Sequence, residues 1–558
     1  MSISDAQLAK LLLENEFVTR EQLKKAQETS TVEKISLYDA LLEKDLVSDE
    51  NLGKIIADYL KIPFIWLDRI SIKPEVLTII PEDVARKQKI IAFAEDKDGL
   101  KIATNNPENT EIQKFISQKT GLPVKVYFST EKNLIGTFSL YKKQLQERFD
   151  DLLKEQLNAA NKSEAKEAPI AKLVDLLIEY AYYNKASDVH IEPRASDSIT
   201  RFRIDGVLHD VLILPKELHN QVITRIKVIS RLRTDEHLSS QDGKMQIKLE
   251  EETLDVRVSI VPVVQGEDAV LRLLSSKSRQ FSLSDLGMAA KDLDKVKIGY
   301  QKPYGMILVT GPTGSGKTTS IYAVLKILNT REKNIATIED PVEYEIKGLN
   351  QIQVNPKTNL TFADGLRSIL RQDPDIIFVG EIRDEETADI AINSSMTGHL
   401  VLSTLHTNDA PTALPRLIDM KIEPFLVAST VNIIVGQRLV RKICDSCRVS
   451  YTKTRKELLR HFQDSLITKY FGKNQEIRMY RGKGCPVCHD TGYTGRIGIF
   501  EILEVTADIQ ALITQKADSD IIKKKAIANG MTSMFEDGLS KTQQGITTIE
   551  EVLRATKE

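Results

Sequence analysis

The stretch MILVTGPTGSGKTTSIYAVLKIL, residues 306–328, decides the fold. Its first five residues form an apolar run with the length of a strand buried on both faces. A helix is expected over 319–328, and between the two stands G-x-x-x-x-G-K-[ST] in the strand–loop–helix context that this motif requires. The glycines let the backbone of Gly311-Pro312-Thr313-Gly314-Ser315-Gly316 curl its N–H groups around a β-phosphate. They do so at a helix N-terminus, where the macrodipole favours an anion. Lys317 is spaced to reach the β- and γ-phosphates and the Thr318 hydroxyl to ligate Mg²⁺, with Thr319 following in the first helical turn.

Working outward, the chain from about 283 alternates strands and helices in the manner of a parallel, doubly wound sheet. Residues 335–338 form a strand running into Glu339-Asp340-Pro341-Val342-Glu343. The run DIIFV (375–379) leads to Gly380-Glu381-Ile382-Arg383-Asp384. Parallel sheets gather their active groups at strand carboxyl ends. Glu339 and Glu381 should therefore face the phosphates, while Asp384 and Glu385 read as solvated surface acids. A further strand over 398–405 carries His399 at its start and His406 at its end.

Upstream lie several smaller regions. Leu8, Leu12, Leu13, Glu14, Val18, Glu21, Leu23 and Lys25 recur 29 positions later as Leu37, Leu41, Leu42, Glu43, Val47, Glu50, Leu52 and Lys54. Each copy reads as helix, break, helix, with Thr19 and Ser48 at N-cap positions and Thr19 with Gln22 as a capping box. Short β-rich runs over 62–140 indicate a small α+β domain. Leu145, Phe149, Leu152, Leu153 and Leu157 mark an apolar helix face, and 158–168 reads as a flexible linker. Residues 169–282 form a second α+β domain, in which SITRFRIDGVLHDVLIL reads as one alternating strand with Arg201 and Arg203 on one face. The expected division is thus 1–140 (helical repeat 1–60, α+β 62–140), 141–168, 169–282 and 283–558.

With 558 residues, 77 Lys plus Arg, 79 Asp plus Glu and a net charge of −2, the chain has material for several cores and no basic excess of the kind that duplex-DNA binding needs. No aromatic–basic stripe is evident in the sequence, so nucleic acid is not expected as a partner. The N-terminus lacks the basic and apolar segments of a signal peptide, and no apolar run approaches a membrane span. A cytoplasmic protein is expected.

All four cysteines are paired in sequence, as Cys444-x-x-Cys447 and Cys485-x-x-Cys488. Two such knuckles complete a tetrahedral Zn(Cys)₄ site, closed and therefore structural, with His489 surplus. The intervening 448–484 is too long for a compact zinc ribbon and should fold as its own subdomain, within about 440–495.

TGPTGSGKTT, IATIEDPVEY, LRQDPDIIFVGEIRD and TGHLVLSTLHTNDA resemble the Walker A motif, Asp box, Walker B motif and His box of the secretion ATPase superfamily. In particular they are similar to those of the type II secretion and type IV pilus assembly ATPases. The resemblance runs through ASDVHIEP and RFRIDGVL to GQRLVRKIC, GYTGRIGIFEIL and QGITTIEEVL, covering 169 to the end in the family's order. It implies a RecA-like P-loop core behind a PAS-like α+β domain, and a homohexamer hydrolysing ATP at subunit boundaries. By motif position Glu339 would be the general base, Glu381 the acid near Mg²⁺, and His406 the γ-phosphate sensor, with His399 the lesser histidine candidate. Arg201 and Arg203, with Arg257 as a further possibility, match arginines that approach the γ-phosphate. At Gly266-Glu267-Asp268 this chain departs from relatives that place a basic residue after Gly-Glu. Pilus and secretion members often carry the tetracysteine insertion.

The repeat resembles an N-terminal module whose nucleotide-binding form starts each unit with Arg-Leu-Gly. Gln7-Leu8-Ala9 and Ser36-Leu37-Tyr38 stand there instead, so cyclic di-GMP is not expected and a docking role is. The implied partners are an inner-membrane platform protein and a docking protein of a pilus or secretion machine. The alternatives are a nucleic-acid or conjugation-type traffic ATPase of the same superfamily and a nucleotide-gated scaffold with little turnover.

Overall fold

The strand at Thr253–Val263 alternates between buried and less buried residues along most of its length, whereas those at Gly305–Thr310, Ile335–Glu339, Ile376–Val379 and Leu400–Leu405 are buried throughout. The computed structural model describes residues 3–33, 35–43, 46–97, 99–142, 167–249, 252–275, 282–445, 447–460, 462–485, 488 and 491–556. The chain divides into two compact units, Met1–Glu16 with Ser48–Arg279, and Phe17–Val47 with Gln280–Glu558. The expected apolar helix at 145–157 lies outside the described residues, as does the linker through 166. Helix Glu167–Tyr183 takes up the linker's last two residues.

The 29-residue repeat forms helices α1 (Asp5–Glu14), α2 (Arg20–Glu33), α3 (Leu37–Glu43) and α4 (Asp49–Leu60). The first and last belong to the first unit, the middle pair to the second. The expected caps are present. Gln22 N–H donates to Thr19 Oγ1 at 3.2 Å and Thr19 N–H to Gln22 Oε1 at 2.8 Å. Ser48 accepts from Asn51 N–H at 3.3 Å.

In the first unit, β1 (Ile90–Asp96), β2 (Gly99–Thr104) and β3 (Val124–Phe128) form a small sheet, β1 antiparallel and β3 parallel to β2. A second, wholly antiparallel sheet comprises β4 (Ala186–Pro193), β5 (Asp197–Ile204), β6 (Val207–Pro215), β7 (Gln241–Lys248), β8 (Thr253–Val263) and β9 (Gly266–Leu274), in the order β6-β5-β4-β9-β8-β7. Helices Glu167–Tyr183 and Lys216–Ile229 cover it through Val174, Leu177, Ile178, Val222 and Ile226, against Val189, Phe202 and Leu271. One expectation is corrected here. The segment read as a single strand is a hairpin, β5 to β6, turning at Asp205 and Gly206 with φ of 50° and 85°. Asp-Gly with both residues left-handed is the turn that matches strand twist, and that signal outweighs the alternation running through it.

In the second unit the core sheet comprises β10 (Gly305–Thr310), β11 (Ile335–Glu339), β12 (Asn350–Gln353), β13 (Ile376–Val379), β14 (Leu400–Leu405) and β15 (Val431–Ile443), all parallel. Beyond it, β16 (Arg448–Thr454) and β17 (Glu476–Gly482) pair only with each other. The last strand, β18 (Tyr493–Glu504), returns antiparallel to β15, giving the order β12-β11-β13-β14-β10-β15-β18. Every residue of β10 is buried. Met306 and Leu308 pack with Ala388, Ile392 and Val401 on one face, and Ile307 and Val309 with Ile321, Tyr322 and Leu325 on the other. Burial on both faces explains why the run at 306–310 shows no alternation. Helices lie on both sides, so the expected doubly wound α/β architecture is present, with one antiparallel strand at its edge.

Candidate functional site

Cross-strand register brings the chemistry to one edge. Thr310 pairs with Leu405 and with Gly436, Ile338 with Val379, and Val379 with Ser403, so the carboxyl ends of β11, β13, β10 and β14 finish together. The loop 311–316 leaves β10 at this edge and enters helix Lys317–Leu328. Gly311 (φ 147°) could not carry a side chain, because a Cβ there would lie 2.4 Å from the Gln437 carbonyl oxygen. At Gly314 (φ 78°) a Cβ would meet nothing within 4 Å, so the loop is open on that side. Pro312, Thr313 and Gly314 are exposed, while Thr318 and Thr319 are half-buried. Two buried hydroxyls, Thr310 Oγ1 and Ser315 Oγ, have no hydrogen-bond partner among the described residues. An open, donor-lined loop with unused hydroxyls at a helix N-terminus suits a polyphosphate.

Lys317 folds back, donating to the carbonyls of Gly311 at 2.8 Å and Pro312 at 3.1 Å. Burial lowers its ammonium pKa, opposed by the attraction of Glu381. Glu381, just past β13, holds Arg383 at 2.5 Å through Oε1 and His406 Nε2 at 3.1 Å through Oε2. Its loop is tied down because Ile382 N–H donates to the Thr404 carbonyl at 3.1 Å and Thr404 Oγ1 to the Gly380 carbonyl at 2.8 Å. Glu381, His406 and Lys317 therefore form one neighbourhood.

Glu339 ends β11 and is 2 % exposed. Its carboxylate accepts from Tyr322 OH, from Thr337 Oγ1 at 2.6 Å and from Gln351 Nε2 at 3.2 Å. Burial pushes the carboxyl above its ordinary range, against the pull of those three donors. A base of raised pKa takes a proton more readily once it is ionised.

His399 sits at the amino end of β14, the edge away from the loop, with Nδ1 3.0 Å from the Ser394 carbonyl. That places it apart from the phosphate loop. Asp384 is not a merely solvated acid, since it caps helix Glu385–Met396 by accepting from Thr387 N–H at 2.8 Å. Glu385 is the exposed acid expected, paired with Lys421 at 2.7 Å.

Sequence reasoning missed Tyr322, Gln351 and Gln437. Gln437 lies within a quoted motif, GQRLVRKIC, and Tyr322 sits five residues beyond Lys317 on the buried face of its helix. Gln351 carried no signal.

The model for the type II/IV secretion system protein family matches residues 163–554. The chain belongs to that family. A second model, the MshEN domain, matches residues 60–147. This secretion-family member is 36 % identical over 562 residues to the type IV pilus assembly ATPase PilB of Myxococcus xanthus, covering 98 % of each chain. It is 46 % identical over 392 residues to the type II secretion system ATPase E of Vibrio cholerae, covering 70 % of this chain and 76 % of that one. Among solved structures, the Legionella pneumophila ATPase DotB shares the fold at a TM-score of 0.50 and 21 % identity, over 68 % of this chain and 93 % of that one.

Elsewhere in this family member the other expected residues have clear surroundings. Arg201 and Arg203 on β5 are ion-paired, Arg201 with Glu192 and Arg203 with Asp188 at 3.7 Å. Arg257 on β8 stands opposite Arg272 on β9, and Arg272 donates to Asp188 at 2.9 Å, so the arginine-bearing face is wider than the sequence suggested. Glu267 pairs with the buried Lys227 at 2.6 Å and with His237 at 2.8 Å, while Asp268, the acid that stands where the resemblance implies a base, is half-buried with its Oδ1 unpartnered among the described residues.

The four cysteines meet at the tip of the β15–β18 hairpin, where Ile443 pairs with Tyr493. Their sulfurs all lie within 4.8 Å of one another, with Cys444–Cys485 and Cys447–Cys488 at 3.8 Å and Cys485–Cys488 at 3.6 Å. Tetrahedral zinc with bonds of about 2.3 Å needs sulfurs about 3.8 Å apart, so this donor set fits the ion. Backbone N–H groups of Cys485 and Gly492 point at Cys488 Sγ, at 3.2 and 3.3 Å. Between the knuckles, β16, β17 and two short helices enclose Leu458, Phe462, Ile467, Ile477 and Met479. His489 lies outside the described residues. This insertion carries cation–π pairs on both faces of the β16–β17 hairpin. Tyr480 lies between Arg448 and Arg478, at 5.7 and 5.4 Å, and Tyr451 takes Arg481 at 5.2 Å.

Among the described residues no helix is long and apolar enough to cross a membrane.

Proposed function

We propose that this protein is the motor ATPase of a type IV pilus or type II secretion machine, turning ATP hydrolysis into work on a membrane assembly. The carrying observation is the shared strand edge, with an open phosphate loop beside the Glu381–His406 pair and Glu339. In this reading the loop 311–316 holds the β-phosphate, Lys317 swings from its carbonyl contacts to the γ-phosphate, and Thr318 with Glu381 holds Mg²⁺. The metal would supply charge neutralisation on the transferring phosphoryl group. Glu339 accepts the proton of the attacking water, His406 reports the γ-phosphate through Glu381, and Arg201 and Arg203 contribute positive charge to it. We further propose a zinc-bearing insertion between 444 and 488, a PAS-like domain at 169–282, and a cytoplasmic homohexamer held to the inner membrane by platform and docking proteins. Glu339→Gln tests the core of this reading. It should bind ATP as the wild type does while turnover falls about 10²–10⁴-fold; undiminished phosphate release would remove Glu339 from its role.

The N-terminal region reads as a docking module without cyclic di-GMP. Gln7 is spent on Ser4 and Tyr59, Ser36 caps Asp39, and Ala9 and Tyr38 are core residues. The MshEN match makes calorimetric titration with that dinucleotide the direct check, and saturable binding would reverse this part. A nucleic-acid traffic ATPase is the second reading, favoured by the cation–π pairs around Tyr480, and turnover stimulated by DNA would establish it.

A further inference from the structure

Gln437 on β15 has no solvent exposure, and both ends of its amide are engaged. Nε2 donates to the Ser315 carbonyl at 2.8 Å, and Oε1 accepts from Ser320 Oγ at 2.6 Å. The assignment is chemically fixed, because the Ser315 carbonyl can only accept. Ser315 lies within the phosphate loop, and Ser320 lies one turn into the helix that follows. A Cβ on Gly316 would come 2.9 Å from that same Nε2, and one on Gly311 would come 2.4 Å from the Gln437 carbonyl oxygen. Loop and strand are therefore in contact at both ends of the glycine-rich turn.

We infer that Gln437 is a positioning residue for phosphate binding, orienting the peptide that joins Ser315 to Gly316. In a planar trans peptide the carbonyl and the N–H point in opposite directions. Holding the Ser315 carbonyl against β15 turns the Gly316 N–H away from that strand, to the side where the loop is open. Gly316 has φ 86°, a region in which glycine moves readily, so this peptide would rotate at little cost without an anchor. Gln437 touches no phosphate itself; it removes the rotation that binding would otherwise have to freeze out. The inference rests on the phosphate-loop reading above and deepens it.

The experiment uses the full chain and a fluorescent ADP, with Gln437→Met as the main variant. Methionine keeps the length of the side chain and removes both hydrogen bonds. The expected result is an ADP dissociation constant about tenfold higher, with kcat at saturating ATP within about threefold of wild type. A side chain that merely filled the core would leave ADP affinity unchanged while lowering the melting temperature, and that result would overturn the inference. If Gln437→Met does not fold, Ser320→Ala decides: it frees only the Oε1 end and should weaken ADP about threefold, whereas unchanged affinity sinks the proposal. A wild-type chain that fails to bind ADP would instead refute the phosphate-loop reading.

Discussion

At the level of single residues the proposed mechanism turns on Glu339, a buried carboxylate that would have to be ionised to serve as the base. Its pKa is raised by burial and held back by donors, one of which is the Tyr322 hydroxyl. Turnover should therefore fall on acidification at a pH above the ordinary glutamate value of about 4.3. Tyr322→Phe removes a group that lowers the pKa, so the acidic limb of the kcat profile should move to higher pH. A limb that stayed in place, or moved to lower pH, would separate Tyr322 from the base. Glu339 was legible in the sequence because a strand end beside a phosphate motif leaves few alternatives. Tyr322 and Gln437 were not, because their partners are fixed by tertiary packing. Ser320 and Gln437 are 117 residues apart, and only the β10–β15 pairing brings them together.

At the level of elements, strands buried on both faces were readable as short apolar runs, and β10, β11, β13 and β14 follow that reading closely. The β5–β6 hairpin was not read because apolar alternation continues through Asp205-Gly206 and masks the turn. The cysteine knuckles were legible from spacing alone, and the four sulfurs they bring together would hold a structural ion in the proposed reading. Thiolates crowded within 4.8 Å repel one another unless a cation is shared among them. Metal analysis should find one zinc per chain. Removing it with a strong chelator should expose 444–492 to protease cleavage while β10 and its neighbours stay folded. Intact resistance after complete zinc removal would show that hydrogen bonds and the small core around Phe462 suffice to hold the insertion.

At the level of the whole molecule, charge and apolar surface are unevenly spread. The chain carries a net −2, yet residues 444–488 contain ten Lys and Arg against four Asp and Glu. The cation–π pairs around Tyr480 lie in that basic segment, a local feature that a total near zero conceals. Leu238 and Val264 are 90 % and 98 % exposed, and Phe425 is 59 % exposed, far more than side chains of their kind usually leave in water. Covering each such group stabilises by about 1.5–3 kcal/mol, a gain that association of copies would realise. Mass action then ties activity to concentration, because anything that binds only the assembled form shifts the population toward it. In the presence of Mg²⁺ and a nonhydrolysable ATP analogue, light scattering should report six copies of the 62.8 kDa chain. ATP turnover per chain should rise with protein concentration until that assembly saturates. Leu238→Ser with Val264→Ser should move the rise to higher concentration and leave the saturated rate near wild type. A monomer turning over ATP at the same rate at every dilution would show that one chain completes the site alone.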